Sequence, residues 1–288
     1  MSVTCVRGRR WASAGFAILA AVGVEFVLGN ETPARADPSP EPPIEISGQY
    51  SIYFNGFDIG TVRIDQRTAG RTYSASSQVE ISALLGAFRW KGITRSAGTI
   101  SANSMEPTGY DFQFEGTSKS GAVRMGFTKG TVTSLTALPE TIDPPDRVPL
   151  RAAHVKSVID PLSAVVAVSR PAAQPCGRKL AVFDGKQRFD IALIQSRREA
   201  VPAGRNGATV QGIVCRVKYT PIAGYRATAD TQALAESTGI EVTFRPIAEA
   251  GIWAPYRVAI PTIAGSVSLE ATRYDIDAPG LAQIALID

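Results

Sequence analysis

Residues 50–65 read YSIYFNGFDIGTVRID. Ile52 and Phe54 precede Asn55-Gly56, and Val62 and Ile64 then alternate with Thr61, Arg63 and Asp65. A two-residue hairpin turn of this type needs positive φ at both positions, which Asn and Gly supply at least cost. Apolar alternation on either side makes the stretch a β-hairpin, and the same period continues outward from it. Segments 71–82, 88–100, 109–115, 122–127 and 131–135 repeat the pattern. In the third of these, Tyr110, Phe112 and Phe114 fall on one strand face and Asp111, Gln113 and Glu115 on the other.

The pattern breaks at residues 142–149, IDPPDRVP, which cannot hold a regular element. Asp160-Pro161 then places a capping carboxylate ahead of a proline at the first helical position, with Leu162, Val165 and Val166 at helical spacing. The expectation is one short helix from Pro161 to about Val168. Strands resume at Lys179. Phe183-Asp184-Gly185-Lys186 is a second hairpin signal, followed by Phe189, Ile191 and Leu193 in alternation. Ile213, Cys215, Val217 and Tyr219 share a face, as do Ile240, Val242 and Phe244, with Glu241, Thr243 and Arg245 opposite. Tyr256 to Ile260 and Val267 to Ala271 supply two more strands. About a dozen short strands at this spacing belong to a sandwich or barrel. The expected fold is mainly β: a strongly curved antiparallel sheet forming an open or spiral barrel around one short helix. Two β-rich lobes meeting near residue 150 are the alternative architecture. No fixed repeat period supports a propeller.

The amino-terminal 36 residues do not belong to that pattern. Arg7, Arg9 and Arg10 precede an apolar run from Trp11 to Leu28, and Ala34-Arg35-Ala36 is a small-x-small site. These are the parts of a cleavable export signal, with cleavage expected after Ala36. An uncleaved anchor is the alternative, opposed by Glu25 within the run and by the cleavage site itself. Residues 37–47, DPSPEPPIEIS, read as an extended proline-rich spacer, leaving 48–288 as the β-rich domain. The expected destination is the periplasm.

Removing residues 1–36 changes the arithmetic. The whole chain has 288 residues, 44% hydrophobic and 19% charged, with 30 Lys+Arg against 26 Asp+Glu. That composition excludes wholesale disorder and a polytopic membrane protein. Residues 1–36 hold four arginines and two glutamates, so 26 basic and 24 acidic residues remain, a net charge near +2. Such a balance leaves no electrostatic footprint for nucleic acid. Cys5 leaves too, and Cys176 and Cys215 become an even pair. In an oxidising compartment that pair is expected to form a disulfide, since no C-x-x-C exists and His154 is not at metal-ligand spacing from either.

Several strings together resemble a known family. They are Tyr53-Phe54-Asn55-Gly56-Phe57-Asp58-Ile59-Gly60, Val158-Ile159-Asp160-Pro161-Leu162-Ser163-Ala164, Phe183-Asp184-Gly185 with Arg188, and Tyr219-Thr220-Pro221-Ile222-Ala223-Gly224-Tyr225. The chain resembles the exported bacterial family catalogued as domain of unknown function 3108. The resemblance implies an exported β-rich protein of proteobacteria and brings no catalytic residues with it. At the level of fold it is similar to exported spiral barrels that serve envelope integrity and to half-barrel carriers of lipidated cargo.

No catalytic constellation stands out. A Ser–His–Asp triad has only His154 as base and no G-x-S-x-G elbow, and S-x-x-K, H-E-x-x-H and P-loop motifs are missing. Cofactors are not expected. Asp160, Asp184 and Asp190 are the candidate carboxylates for a hydrolase of envelope polymers, although helix cap, hairpin turn and strand face explain each of them. Arg89, Trp90 and Lys91 with Arg95 are a candidate contact for an anion or a lipid headgroup. The expected function is non-enzymatic support of the cell envelope, through a lipid-like ligand or a protein partner bound in or on the curved sheet.

Overall fold

Along Ile44–Phe54, the first strand (β1), Ile46, Gly48, Tyr50 and Ile52 are buried and the residues between them are not. This is the signature of a sheet with one covered face. The computed structural model describes residues 42–101, 104–140, 144–169, 174–204 and 207–287. After β1 the chain runs as a meander through β2 (Phe57–Ala69), β3 (Thr72–Ala83), β4 (Phe88–Ile100), β5 (Met105–Gly116), β6 (Ser120–Thr128) and β7 (Thr131–Leu138). Helix α1 (Pro161–Val168) follows. A second meander comprises β8 (Lys179–Phe183), β9 (Arg188–Pro202), β10 (Thr209–Ala223), β11 (Glu241–Ile247), β12 (Ile252–Thr262) and β13 (Gly265–Asp277). Helix α2 (Ala229–Glu236) lies between β10 and β11, and a short β14 (Ile284–Ile287) pairs with β13.

All fourteen strands form one sheet in the order β7-β6-β5-β4-β3-β2-β1-β13-β12-β11-β10-β9-β8, with β14 beside β13. The two meanders join where β1 pairs antiparallel with β13, from Glu45↔Asp277 to Phe54↔Val267. The fold is therefore mainly β, curved and open as expected, and the two-lobe alternative falls because the ladder crosses the midpoint without a break. Two details differ from the sequence reading. Ile44 pairs with β2 and Glu45–Ser47 with both β2 and β13, so the spacer expected through Ser47 ends before Ile44. The expected single helix has a companion in α2, which buries no residue and is capped by Thr228.

The edge strands β7 and β8 do not pair with each other. A segment before α1 lies between them. Val158 N donates to Gly130 O at 2.9 Å, Ile159 N to Ala181 O at 2.9 Å, and Phe183 N to Ile159 O at 2.9 Å. Ile159 makes a parallel bridge with Val182. Helix α1 then turns inward. Asp160 Oδ1 accepts from Ser163 N at 2.9 Å and Pro161 occupies the first turn, so the unpaired N–H donors at the helix N-terminus are reduced and satisfied locally. Its Leu162 and Val166 are buried with Tyr73, Tyr110, Val123, Met125, Phe127, Val158 and Phe183. Arg178 donates to Ala167 O in the last turn of α1, the end where a cation is favoured.

Candidate functional site

The two strings that carry the resemblance most specifically, Asp160-Pro161-Leu162-Ser163 and Phe183-Asp184-Gly185, meet at this seam because Ile159 and Val182 are bridged. Asp160 is completely buried. Its Oδ2 accepts from Ser96 Oγ on β4 at 2.9 Å and from Ser163 Oγ, and Ser163 Oγ in turn lies 2.6 Å from the Tyr73 hydroxyl. Burial pushes the Asp160 carboxyl above the usual carboxylate range, against the opposing pull of Ser163 and Ser96. Asp184 closes the β8–β9 turn, its Oδ1 accepting from Lys186 N at 2.8 Å and Gln187 N at 2.6 Å. Burial raises it too. Between them the Tyr110 hydroxyl is raised, chiefly by burial and then by the charges of Asp160 and Asp184.

Asp190 stands elsewhere, paired with Arg188 at 2.7 Å and Lys179 at 3.2 Å. Burial pushes its carboxyl up, but these two cations outweigh that and hold it below the usual range. The structure thus brings Asp160 and Asp184 together and leaves Asp190 apart. Asp160 engages a backbone amide and two hydroxyls through its two oxygens, Asp184 engages two backbone amides through Oδ1, and neither lines the groove of the outer face or the cavity beside the C-terminal end of α1. That is the chemistry of a joint. His154 lies in a 3-10 turn, Ala152–Val155, where its Nδ1 accepts from Arg151 N at 3.1 Å.

The proposed contact of Arg89, Trp90, Lys91 and Arg95 does not form one site, because alternation along β4 puts Trp90 on the face opposite the three cations. Trp90 lies over Phe114 at 6.1 Å and Phe112 at 6.3 Å, forming an aromatic group on the inner face. Lys91 is paired with Glu80 at 2.9 Å. Arg95 lines an open groove of about 890 Å³ on the outer face. Arg63–Asp65 and Arg124–Asp111 pairs, both at 2.9 Å, balance the charge along it.

Two interior features carry more chemistry. Cys176 and Cys215 stand at disulfide distance, with Cα atoms 5.6 Å apart, in a core shared with Leu193, Ile213 and Phe244. Arg245 is 1% exposed, although alternation assigned it to the outer face with Thr243. Thr243 pairs with Arg257 but Phe244 with Pro255, so Tyr256 of β12 is the extra residue of a bulge; across it the covered side of β11 changes, and Thr243, Phe244 and Arg245 are all buried. The Arg245 guanidinium lies 5.3 Å from the Tyr256 ring centroid and donates to Pro202 O at 3.1 Å. Tyr50 and Tyr274, both raised first by burial, are drawn down again by its charge.

Beside the C-terminal end of α1 lies a cavity of about 520 Å³. Ile44, Ile46, Ile100, Ile252 and Ile276 line it, and Gln66, Arg71, Ser101 and Ser169 supply its polar atoms. Its mouth is formed by the β2–β3 turn (Gly70, Arg71), the end of β4 and Ala250. These isoleucines come from β1 and β4 near the start of the domain and from the β12–β13 hairpin near its end. Sequence periodicity assigned none of them to a face and had no means of showing a gap among them.

Among curated proteins, no relative matches the chain. Among solved structures, the chain is similar to a beta-barrel-like protein of domain of unknown function DUF1849 from Brucella abortus, at 8% identity and a TM-score of 0.47. That alignment covers 83% of this chain and 99% of the other. A family profile described as Protein of unknown function (DUF3108) matches residues 49–272, from the middle of β1 to near the end of β13. With the meander, the seam and the two strings that meet there all inside that match, the chain belongs to the DUF3108 family.

Proposed function

We propose that this is an exported, non-enzymatic protein of the periplasm that binds a lipid-like ligand in the barrel interior and thereby supports the cell envelope. The observation that carries the reading is the isoleucine-lined cavity beside α1. At about 520 Å³ it has the size of a small-molecule pocket, largely apolar with a few polar groups. One acyl chain would lie against Ile46, Ile252 and Ile276, and an anionic head would meet the exposed Arg71 at the mouth. Export is supported by the amino-terminal segment, whose residues 1–36 lie outside the described ones, and by the cysteine pair, since disulfides persist in oxidising compartments.

The test is thermal unfolding of the chain from Asp37 onward with and without a single-chain lysophospholipid. Ligand at about a hundred times its dissociation constant adds about 2.7 kcal/mol, an upward shift of several degrees. Ala250→Trp, which fills the mouth from a partly exposed turn, should abolish the shift. An equal shift in that variant, or none in the wild type, rejects the cavity as the binding site. For the envelope role, a deletion strain should become sensitive to detergents and cell-wall antibiotics; wild-type resistance would reject it.

A further inference from the structure

Among the described residues, the five most exposed large apolar side chains are Leu85, Leu84, Phe57, Ile263 and Leu138, at 109, 80, 75, 65 and 62%. All five stand at one end of the sheet. Phe57 follows the β1–β2 turn, Leu84 and Leu85 form the β3–β4 turn, and Ile263 lies in the β12–β13 turn. Leu138 ends β7 opposite Ala122, beside the β5–β6 turn. Single exposed leucines mean little on a protein surface, but the gathering of the five most exposed apolar side chains at one end does. The cavity mouth, built from the β2–β3 and β11–β12 turns, is at the other end.

The tips are held as a set. Asn55 N donates to Ser266 O at 2.8 Å and Ser266 N to Asn55 Oδ1 at 2.8 Å, joining the β1–β2 and β12–β13 turns. Arg89 N donates to Thr117 Oγ1 at 2.9 Å and Thr117 N to Arg89 O at 2.9 Å, joining the β3–β4 and β5–β6 turns. Leu84 and Leu85 both have positive φ, +53° and +54°, a strained conformation for leucine that aims both side chains outward without burying either. Strain of that kind gains nothing inside the chain.

We propose that this end of the sheet docks on a phospholipid surface, inserting Leu84, Leu85, Phe57 and Ile263 between headgroups. Apolar side chains borne singly or in pairs on separate tips, with polar Asn55, Ser118 and Thr262 among them, suit shallow insertion into an interface; the open groove at this end, between the β5–β6 turn and Leu138, leaves Phe57, Leu84, Leu85 and Ile263 outside its lining. Arg89, near the start of β4, and Lys119, in the β5–β6 turn, lie beside the tips and complement lipid phosphates. Of the carboxylates near these turns, Asp58 is engaged by Gly60 N at 3.0 Å, and Glu115 and Glu140 stand beside the β5–β6 turn and the end of β7, away from Phe57, Leu84 and Leu85 in the chain. The aromatic group of Trp90, Phe112 and Phe114 lies just behind on the inner face. The docking does not rest on the ligand reading, because a filled cavity leaves this end untouched.

The experiment is flotation of the chain from Asp37 onward, which carries every described element and all four cores, with phosphatidylethanolamine–phosphatidylglycerol vesicles. The wild type should float with the vesicles. Phe57→Ser/Leu84→Ser/Leu85→Ser should bind about tenfold more weakly or worse, and Ile194→Ser, which removes an exposed apolar residue of β9, should bind as the wild type does. Leu85→Ser alone, at a wholly exposed position, keeps the fold beyond question and should weaken binding measurably. A wild type that stays in solution, or a triple variant that floats equally well, overturns the proposal.

Discussion

Asp160 does three jobs with two oxygens: it caps α1, holds Ser96 of β4 and orients Ser163 toward Tyr73. Asp160→Ala should remove the cap and leave the Ser96 and Ser163 hydroxyls short of an acceptor, a loss of about 2–3 kcal/mol in denaturant unfolding. Its pH behaviour is distinctive. Burial raises the folded-state value, so the folded form holds the proton where the unfolded form has lost it. Stability from this site is full below the ordinary carboxylate range and is lost as pH rises through the raised value. Measured against Asp160→Asn, the wild type should therefore gain stability as pH falls. Asp190 predicts the opposite slope, since Arg188 and Lys179 hold its carboxyl low. Against Asp190→Asn the wild type should lose stability as pH falls through that depressed range. Equal slopes for the two pairs would show that their surroundings are misassigned.

At the scale of elements, the joint between edge strands is the most exacting part of the fold. Gly185 in the β8–β9 turn has φ +95°, and a Cβ there would come within 2.4 Å of the Val123 side chain on β6. Gly185→Ala should cost more than about 2 kcal/mol, from left-handed strain plus overpacking. The cysteine pair spans 39 residues of sequence, from just before β8 to the middle of β10. Replacing both with serine should lower stability by up to about 4 kcal/mol by loop-closure entropy, read as a fall in melting temperature relative to the non-reduced wild type. These elements differ in how far their sequence announced them. Asn55-Gly56 and Asp160-Pro161 carry their conformations locally, so the first hairpin and α1 were legible to the residue. Helix α2 escaped because its alanine-rich run, ADTQALAE, buries nothing and has no apolar stripe, leaving Thr228 as the one sign. Arg245 escaped because a bulge is a tertiary event: one inserted position reverses every inward and outward assignment after it. The cavity was invisible for a related reason, being a property of strands from the two ends of the domain, which meet only in space.

Over the whole molecule, stability is distributed unevenly. The β3–β4 ladder runs unbroken from Thr72↔Thr99 to Ala83↔Phe88, whereas the seam between β7 and β8 rests on the short bridge through Val158 and Ile159. Native-state hydrogen exchange should therefore release the amides of Val158, Ile159 and Phe183 well before those of β3 and β4, the barrel opening along this line first. Matching rates would mean that the sheet opens as one unit. The other joint, between β1 and β13, has a consequence in time. Ile46 and Ile276 are ladder partners, but the ribosome makes one long before the other. Throughout that interval β1 is an edge strand with a row of unpaired amides, and its buried face has only half its neighbours. A neighbouring nascent chain on the same message carries the identical edge. Slow elongation between Pro161 and Gly265 should therefore favour strand exchange between sibling chains, and a chaperone that occupies β1 during synthesis should suppress it.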